Sequence, residues 1–285
     1  MKKLVFILCA LLLNCSSDND ADWSGLFSAG PTFPNGIDLP YVSISDQNFE
    51  MYLETHDSNG NVVDIGDANS MGDGSINGQV PDDKVENVTQ LNISNLEIDT
   101  LFGISGFESL QHLDCSNNRL VNLDVSYNPD LTVLNFDNNN LASFDASGIE
   151  NLISVSCVNN LLTSINLSRH NELEVFDVSN NFLTSLSLSL NGRLKNVNCS
   201  NNLIEVLTII NNPDLEILNC KGNNLETLNL SNNHNSDLVF MNTVNNPNLQ
   251  CIKIDDNFSP TDCGLPQEEI GWCKDDTAFY SVDCN

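Results

Sequence analysis

The sequence predicts a mostly β solenoid of about eight 21-residue turns with stacked parallel strands, a small N-terminal cap with one helix, and a disulfide-bonded C-terminal cap. Three observations carry this expectation. Leucine opens a unit at Leu110, Leu131, Leu152, Leu173, Leu194 and Leu215, each 21 residues after the last. Asparagine keeps phase with it at Asn118, Asn139, Asn160, Asn181, Asn202, Asn223 and Asn246. Four cysteines, Cys251, Cys263, Cys273 and Cys284, crowd the end of the chain, where the period has stopped.

The first residues stand outside the fold. Lys2 and Lys3 precede an apolar run from Leu4 to Leu13, too short to span a bilayer and suited to directing export. The run ends at Leu12-Leu13-Asn14-Cys15, followed by the acidic Asp18 and Asp20. This resembles a bacterial lipoprotein signal, which implies acylation of Cys15, although Asn14 replaces the usual small residue. The acidic residues after the cysteine also resemble the surface-export signal of Bacteroidetes lipoproteins. Ordinary cleavage nearby, with Cys15 left free, is the other reading. The expected organisation is therefore a signal peptide over 1–14, a flexible tether over 15–40, an N-terminal cap over 41–87, the solenoid over 88–248 and a C-terminal cap over 249–285.

Within the N-terminal cap a helix is expected at Asp46–His56, with Phe49, Tyr52 and Leu53 on one face and Ser45 or Asp46 as its cap. The loop Gly66–Asn77 has the oxygen-rich spacing of a calcium loop, with Asp57, Asp64, Asp67, Asn69 and Asp73 as candidate donors. The fit is poor, because two extra residues separate Asn69 from Asp73 and no Glu closes the loop. A turn-rich cap loop without metal is the alternative, and no other cofactor is implied.

The repeat unit reads L-x-x-L-x-C-x-x-N-x-L, as in Leu110, Leu113, Cys115, Asn118 and Leu120. A degenerate first unit starts at Val88, and a last one at Leu238 after two inserted residues. The second half of each unit echoes the first, as in Leu123, Val125 and Asn128. A single unit cannot bury its leucines, but stacking turns about 4.8 Å apart gives a continuous core about 35–40 Å long. At each corner an inward Asn amide is expected to satisfy backbone groups that the turn leaves unpaired. Because both halves alternate, and Pro129, Pro213 and Pro247 mark turns, a flattened β solenoid is expected in preference to a helix-backed horseshoe.

The motif resembles the short, 21-residue (IRREKO-type) class of secreted bacterial leucine-rich repeats, common in flavobacterial surface proteins, over about residues 41–285. The resemblance implies a leucine-rich-repeat solenoid whose first-strand outward side chains form a ligand face. Leu249–Asp256 resembles the C-terminal cap of such proteins. With no sorting domain after that cap in this sequence, the lipid is expected to anchor the protein.

Cys115, Cys157, Cys199 and Cys220 share the sixth position of a unit, where core packing and a metal or redox cluster are the competing readings. For the terminal four, three pairings are open, with Cys251–Cys284 closing the cap and Cys263–Cys273 inside it favoured. Zinc is the alternative, but the close pairs of zinc modules are missing.

Two columns define the expected binding face. One holds His112, Val133, Val175, Ile217 and Phe240; the other holds Asp114, Asp177, Asn198, Asn219 and Asn242. Val175, Ile217 and Phe240 are expected to be exposed anchors for a partner, against the simpler view that such residues merely suit a strand. A charge of −29 opposes nucleic acid and anionic membrane surfaces. His56, His112, His170 and His234 fall in no catalytic motif, and no enzyme is expected. The expected function is a non-catalytic, monomeric, lipid-anchored binding or adhesion protein at the outer membrane or cell surface of a Gram-negative bacterium. Its partner would be an extracellular or envelope protein. A glycan-binding accessory lipoprotein is the alternative, although sugar platforms need exposed rings and this face offers only Phe240.

Overall fold

The computed structural model describes residues 41–231, 234–263 and 271–284. The expected signal peptide, Cys15 and the tether lie outside the described residues.

The N-terminal cap begins with β1 (Tyr41–Ser43), α1 (Gln47–Thr55), β2 (Gln79–Pro81) and a one-turn helix, α2 (Asp82–Val85), with β1 and β2 antiparallel. Asp46 caps α1 through one carboxylate oxygen, which accepts the N–H groups of Asn48 and Phe49 at 2.9 and 3.1 Å. Its other oxygen accepts from Asp99 N–H at 2.8 Å and ties the cap to the first turn of the solenoid. Phe49 and Leu53 are fully buried, and the Phe49 ring lies 6.0 Å from Phe107. Burial of Glu50 and Glu54 on the same helix was not legible in the sequence. Glu54 accepts from the N–H groups of Asp73 and Gly74, and Glu50 from those of Asn77 and Gly78, so these carboxylates shape the 72–79 loop from beneath.

The repeat strands fall into two series. One contains β3 (Gln90–Asn92), β4 (His112–Asp114), β5 (Val133–Asn135), β6 (Ser154–Ser156), β7 (Val175–Asp177), β9 (Asn196–Asn198), β11 (Ile217–Asn219), β13 (Phe240–Asn242) and β15 (Gly271–Cys273). Among the described residues these form one nine-stranded sheet, parallel and in register throughout. The other contains β8 (Ser185–Ser187), β10 (Val206–Thr208), β12 (Thr227–Asn229), β14 (Cys251–Lys253) and β16 (Phe279–Ser281), paired as β8–β10 and β12–β14–β16. Alternation in the second half-repeats predicts strands along the whole array. The turns before Ser185 form no such ladder, so only the C-terminal part has two β walls.

Between the walls runs one core of the repeat leucines together with Phe136, Phe176, Cys115, Cys157, Cys199 and Cys220. The asparagine ladder closes each corner. Asn139 Oδ1 accepts from Leu120 N–H one turn back, while its Nδ2 donates to the carbonyls of Phe136 and, one turn back, Cys115. The same three contacts recur at Asn160, Asn181, Asn202, Asn223 and Asn246. A second ladder, which the sequence only hinted at, places buried Asn128, Asn191 and Asn212 at the opposite corner, each donating to two carbonyls.

At the C-terminal end the structure pairs Cys251 with Cys284 and Cys263 with Cys273. The second bond joins β15 to the segment at Asp262, which bridges Trp272 in parallel and continues the sheet. Trp272 is buried, and its indole N–H donates to the Leu238 carbonyl at 2.8 Å.

Candidate functional site

Register decides which side chains share a face. In each strand of the nine-stranded sheet the middle residue is buried, from Leu91 through Leu113, Leu134 and onward to Trp272, so its neighbours point outward. The outward residues align as expected: His112 beside Val133, Val175 beside Asn196, Asn196 beside Ile217, Asp177 beside Asn198, and Asn219 beside Asn242. His112 and Val175 are exposed, and Val133 and Ile217 are partly so.

Phe240 is a correction. It is 5% exposed and is not an anchor on the open face. The sheet does not end at β13; it runs on through β15, where Gly271 stands opposite Phe240, and through the bridge at Asp262. The ring is therefore buried where the sheet passes into the C-terminal cap, not displayed beyond its last strand.

The polar column is used partly by its own backbone. Asp114, Asn135, Asp177, Asn198, Asn219 and Asn242 each accept the N–H two residues ahead. Asp and Asn do this equally well, because the acceptor is a side-chain oxygen in both. Asp137, the next residue outward from this column, accepts from the Ser156 hydroxyl at 2.7 Å and Val158 N–H at 2.6 Å. Burial pushes its carboxyl above the usual carboxylate range, against these hydrogen bonds and with added push from Asp177 and Asp114.

A concavity on this face lies at its N-terminal end. A groove of about 610 Å³ is lined by Tyr52, His56, Asn59 and Gly60 from the cap and by Gln90, Asn92, His112, Asp114, Val133 and Asn135 from the first strands. Tyr52 and His56, four residues apart on and just beyond α1, stack with centroids 3.9 Å apart and planes 12° from parallel. His56 Nδ1 lies 2.9 Å from the Tyr52 carbonyl and 3.0 Å from the Thr55 hydroxyl, which holds the ring in place against the end of the helix. Partial burial pushes the Tyr52 hydroxyl above its ordinary value, as does the nearby Asp57. No spacing signal joins Tyr52 and His56 to His112 and Asp114. Gln90 and Asn92 could have been found by extending the repeat register into the degenerate first unit.

The calcium candidates do not converge among the described residues. Asp67 accepts from the backbone and side-chain N–H groups of Asn69, and Asp73 from Ser75 N–H and the Asn77 amide. No group of three or more His, Cys, Asp or Glu residues is placed to hold a metal ion among the described residues. Cys115, Cys157, Cys199 and Cys220 are free and fully buried in the core, and burial pushes all four thiols up, Cys220 to about 12.

No protein-family model and no curated protein matches the sequence. Solved structures do resemble it. The functional domain of InlJ from Listeria monocytogenes, described as including a cysteine ladder, is 23% identical with a TM-score of 0.52, over 74% of this chain and 52% of that one. This chain has the leucine-rich-repeat fold. Other leucine-rich-repeat structures similar to it are internalin C2 from Listeria monocytogenes (18% identity, TM-score 0.48, 64% of this chain and 80% of that one) and an LRR protein from Leptospira interrogans (20%, 0.45, 59% and 62%). The chain spans about half the length of the InlJ domain that it matches. In this leucine-rich repeat the buried cysteines recur at one position of the unit, on four of the turns.

Proposed function

We propose that this leucine-rich-repeat protein is a non-catalytic binding protein that presents the outward face of its nine-stranded sheet to a protein partner. One observation carries the proposal. Nine parallel strands hold two straight columns of side chains in fixed register, and the outward column from His112 to Ile217 takes no part in the core. Such a surface is rigid before binding, so little conformational entropy is lost on association. Val175, 38% exposed, and Ile217, partly exposed, supply apolar contact within a polar surround.

The lipoprotein-like signal supports a reading in which the protein is exported, attached through Cys15 and held on the outer membrane or cell surface of a Gram-negative bacterium. No helix among the described residues is long and apolar enough to cross a membrane.

The test is capture of partners from the envelope and secreted fractions of the native organism by the purified protein and by a Val175→Ser, Ile217→Ser double variant. A partner held by the parent and lost by the variant, at equal Tm, supports the face. Capture unchanged by the double variant removes it, and retention on a glycan array in place of a protein partner supports the glycan-binding alternative.

A further inference from the structure

We propose that the groove between the N-terminal cap and the first strands of the sheet is a subsite for a basic side chain, an arginine or lysine, of the partner protein. This deepens the protein-binding reading of the face and rests on it.

Four observations converge. The groove is a concavity between the cap and the first strands, with room for a long side chain to lie along its floor. Its chemistry is that of an acceptor. It offers the Asp114 carboxylate, whose Oδ1 holds the Ser116 N–H and whose Oδ2 faces no donor among the described residues, between Asn92 and Asn135, whose oxygens already accept from Ser94 and Asp137. The parallel Tyr52–His56 stack adds a π system of the kind over which guanidinium and ammonium groups are held.

The fourth observation is charge. Every described lysine and arginine lies outside the groove lining. Lys84 donates to the carbonyls of Ser70 and Gly72, while Arg119, Arg169, Arg193 and Lys195 pair with glutamates. A chain with net charge −29 steers cations toward its surface and anions away, so an acidic or phosphorylated ligand is disfavoured at this site.

Asp114→Asn isolates the charge. Asn92 and Asn135, the register neighbours of Asp114 on either side, make the same local turn with Asn side chains. The substitution therefore preserves the backbone and removes only the negative charge. Asp177→Asn removes the same charge farther along the column, outside the groove.

The experiment uses the full chain, ¹⁵N-labelled, titrated with acetyl-Gly-Arg-Gly-amide and, separately, with the same peptide carrying neutral citrulline. Localised amide shifts at the groove strands with the arginine peptide alone are expected. Asp114→Asn should weaken that binding roughly tenfold, the order of losing one charge-assisted hydrogen bond, and Asp177→Asn should leave it unchanged. Equal binding of the citrulline peptide, shifts spread along the whole acidic column, or equal effects of the two substitutions would each overturn the proposal. Capture of the native partner separates the two levels. If Asp114→Asn keeps a partner that the Val175→Ser, Ile217→Ser variant loses, the groove proposal fails and the face stands; if neither variant loses it, the face fails as well.

Discussion

Asn180 and Asn181 divide one corner of the solenoid between them. Asn180 sits at φ 57°, in the left-handed region, and so turns the chain; Asn181, the next residue, points inward and joins two turns through Leu162 N–H and the carbonyls of Cys157 and Val178. The pairing repeats at Asn117–Asn118, Asn138–Asn139, Asn159–Asn160, Asn201–Asn202, Gly222–Asn223 and Asn245–Asn246, which accounts for the Asn-Asn doublets. The first position needs a residue that tolerates positive φ, and the second needs a short amide with both a donor and an acceptor.

Asn181→Ala should therefore be costly. It leaves the Leu162 N–H without its acceptor at a site 5% exposed, while the Cys157 and Val178 carbonyls each keep one amide donor, from Asn160 and Asn202, which corresponds to roughly 1–3 kcal/mol. Urea unfolding of the variant checks this, and a loss under about 0.5 kcal/mol would show that water replaces the amide.

Asn180 should discriminate chiefly by backbone, because the side-chain bond it accepts from the Asn201 amide is exposed and is lost on replacement by either Gly or Val. Asn180→Gly is expected to change stability by less than about 0.5 kcal/mol, as the natural Gly222 in the same place suggests, whereas Asn180→Val should cost about 1–2 kcal/mol from left-handed strain. Equal Tm values for the two variants would mean that φ at this corner is not what selects asparagine.

Asp137 gives a pH dependence with a defined sign. Its carboxyl is raised in the folded state, chiefly by burial, so it favours folding in its protonated form. The stability linked to it is complete below the unfolded carboxylate value and is lost as pH rises through the higher folded value. Asp137→Asn keeps an acceptor oxygen for Ser156 and Val158 and carries no charge. Its Tm should exceed that of the parent near neutral pH, and the gap should close as pH falls below the usual carboxylate range. A gap that stays constant across a pH series would detach the effect from titration.

The buried thiols and the terminal cysteines should behave oppositely toward reagents. Cys115, Cys157, Cys199 and Cys220 are fully buried with raised thiols, so alkylation in native buffer should miss all four and reach them only in denaturant. Peptide mapping without reduction should recover Cys251 joined to Cys284 and Cys263 joined to Cys273. Removing the Cys251–Cys284 bond should cost about 2–5 kcal/mol, the usual range for a native disulfide. Alkylation of Cys199 and Cys220 at the rate of an exposed thiol would contradict their place in the core.

The sequence by itself determined the solenoid. One unit repeated at 21 residues specifies which side chains face inward, where each corner falls, and which outward residues share a column, because every turn meets the same neighbours as the turn before it. The helix at Gln47–Thr55 was legible for a different reason: its cap at Asp46 and its apolar face at Phe49 and Leu53 are local signals.

Tertiary structure decided what happens where the period stops. Phe240 reads as another exposed strand residue in phase with Ile217, yet the C-terminal cap continues the sheet past it and buries the ring. Glu50 and Glu54 look like surface residues of a helix until a loop 19 to 28 residues later turns its N–H groups onto them. The groove has the same origin. Tyr52 and His56 line one groove with Asp114 and Asn135 because the cap lies beside the first strands, and the approach of a non-repeating segment to a repeating one leaves no period in the sequence to mark it.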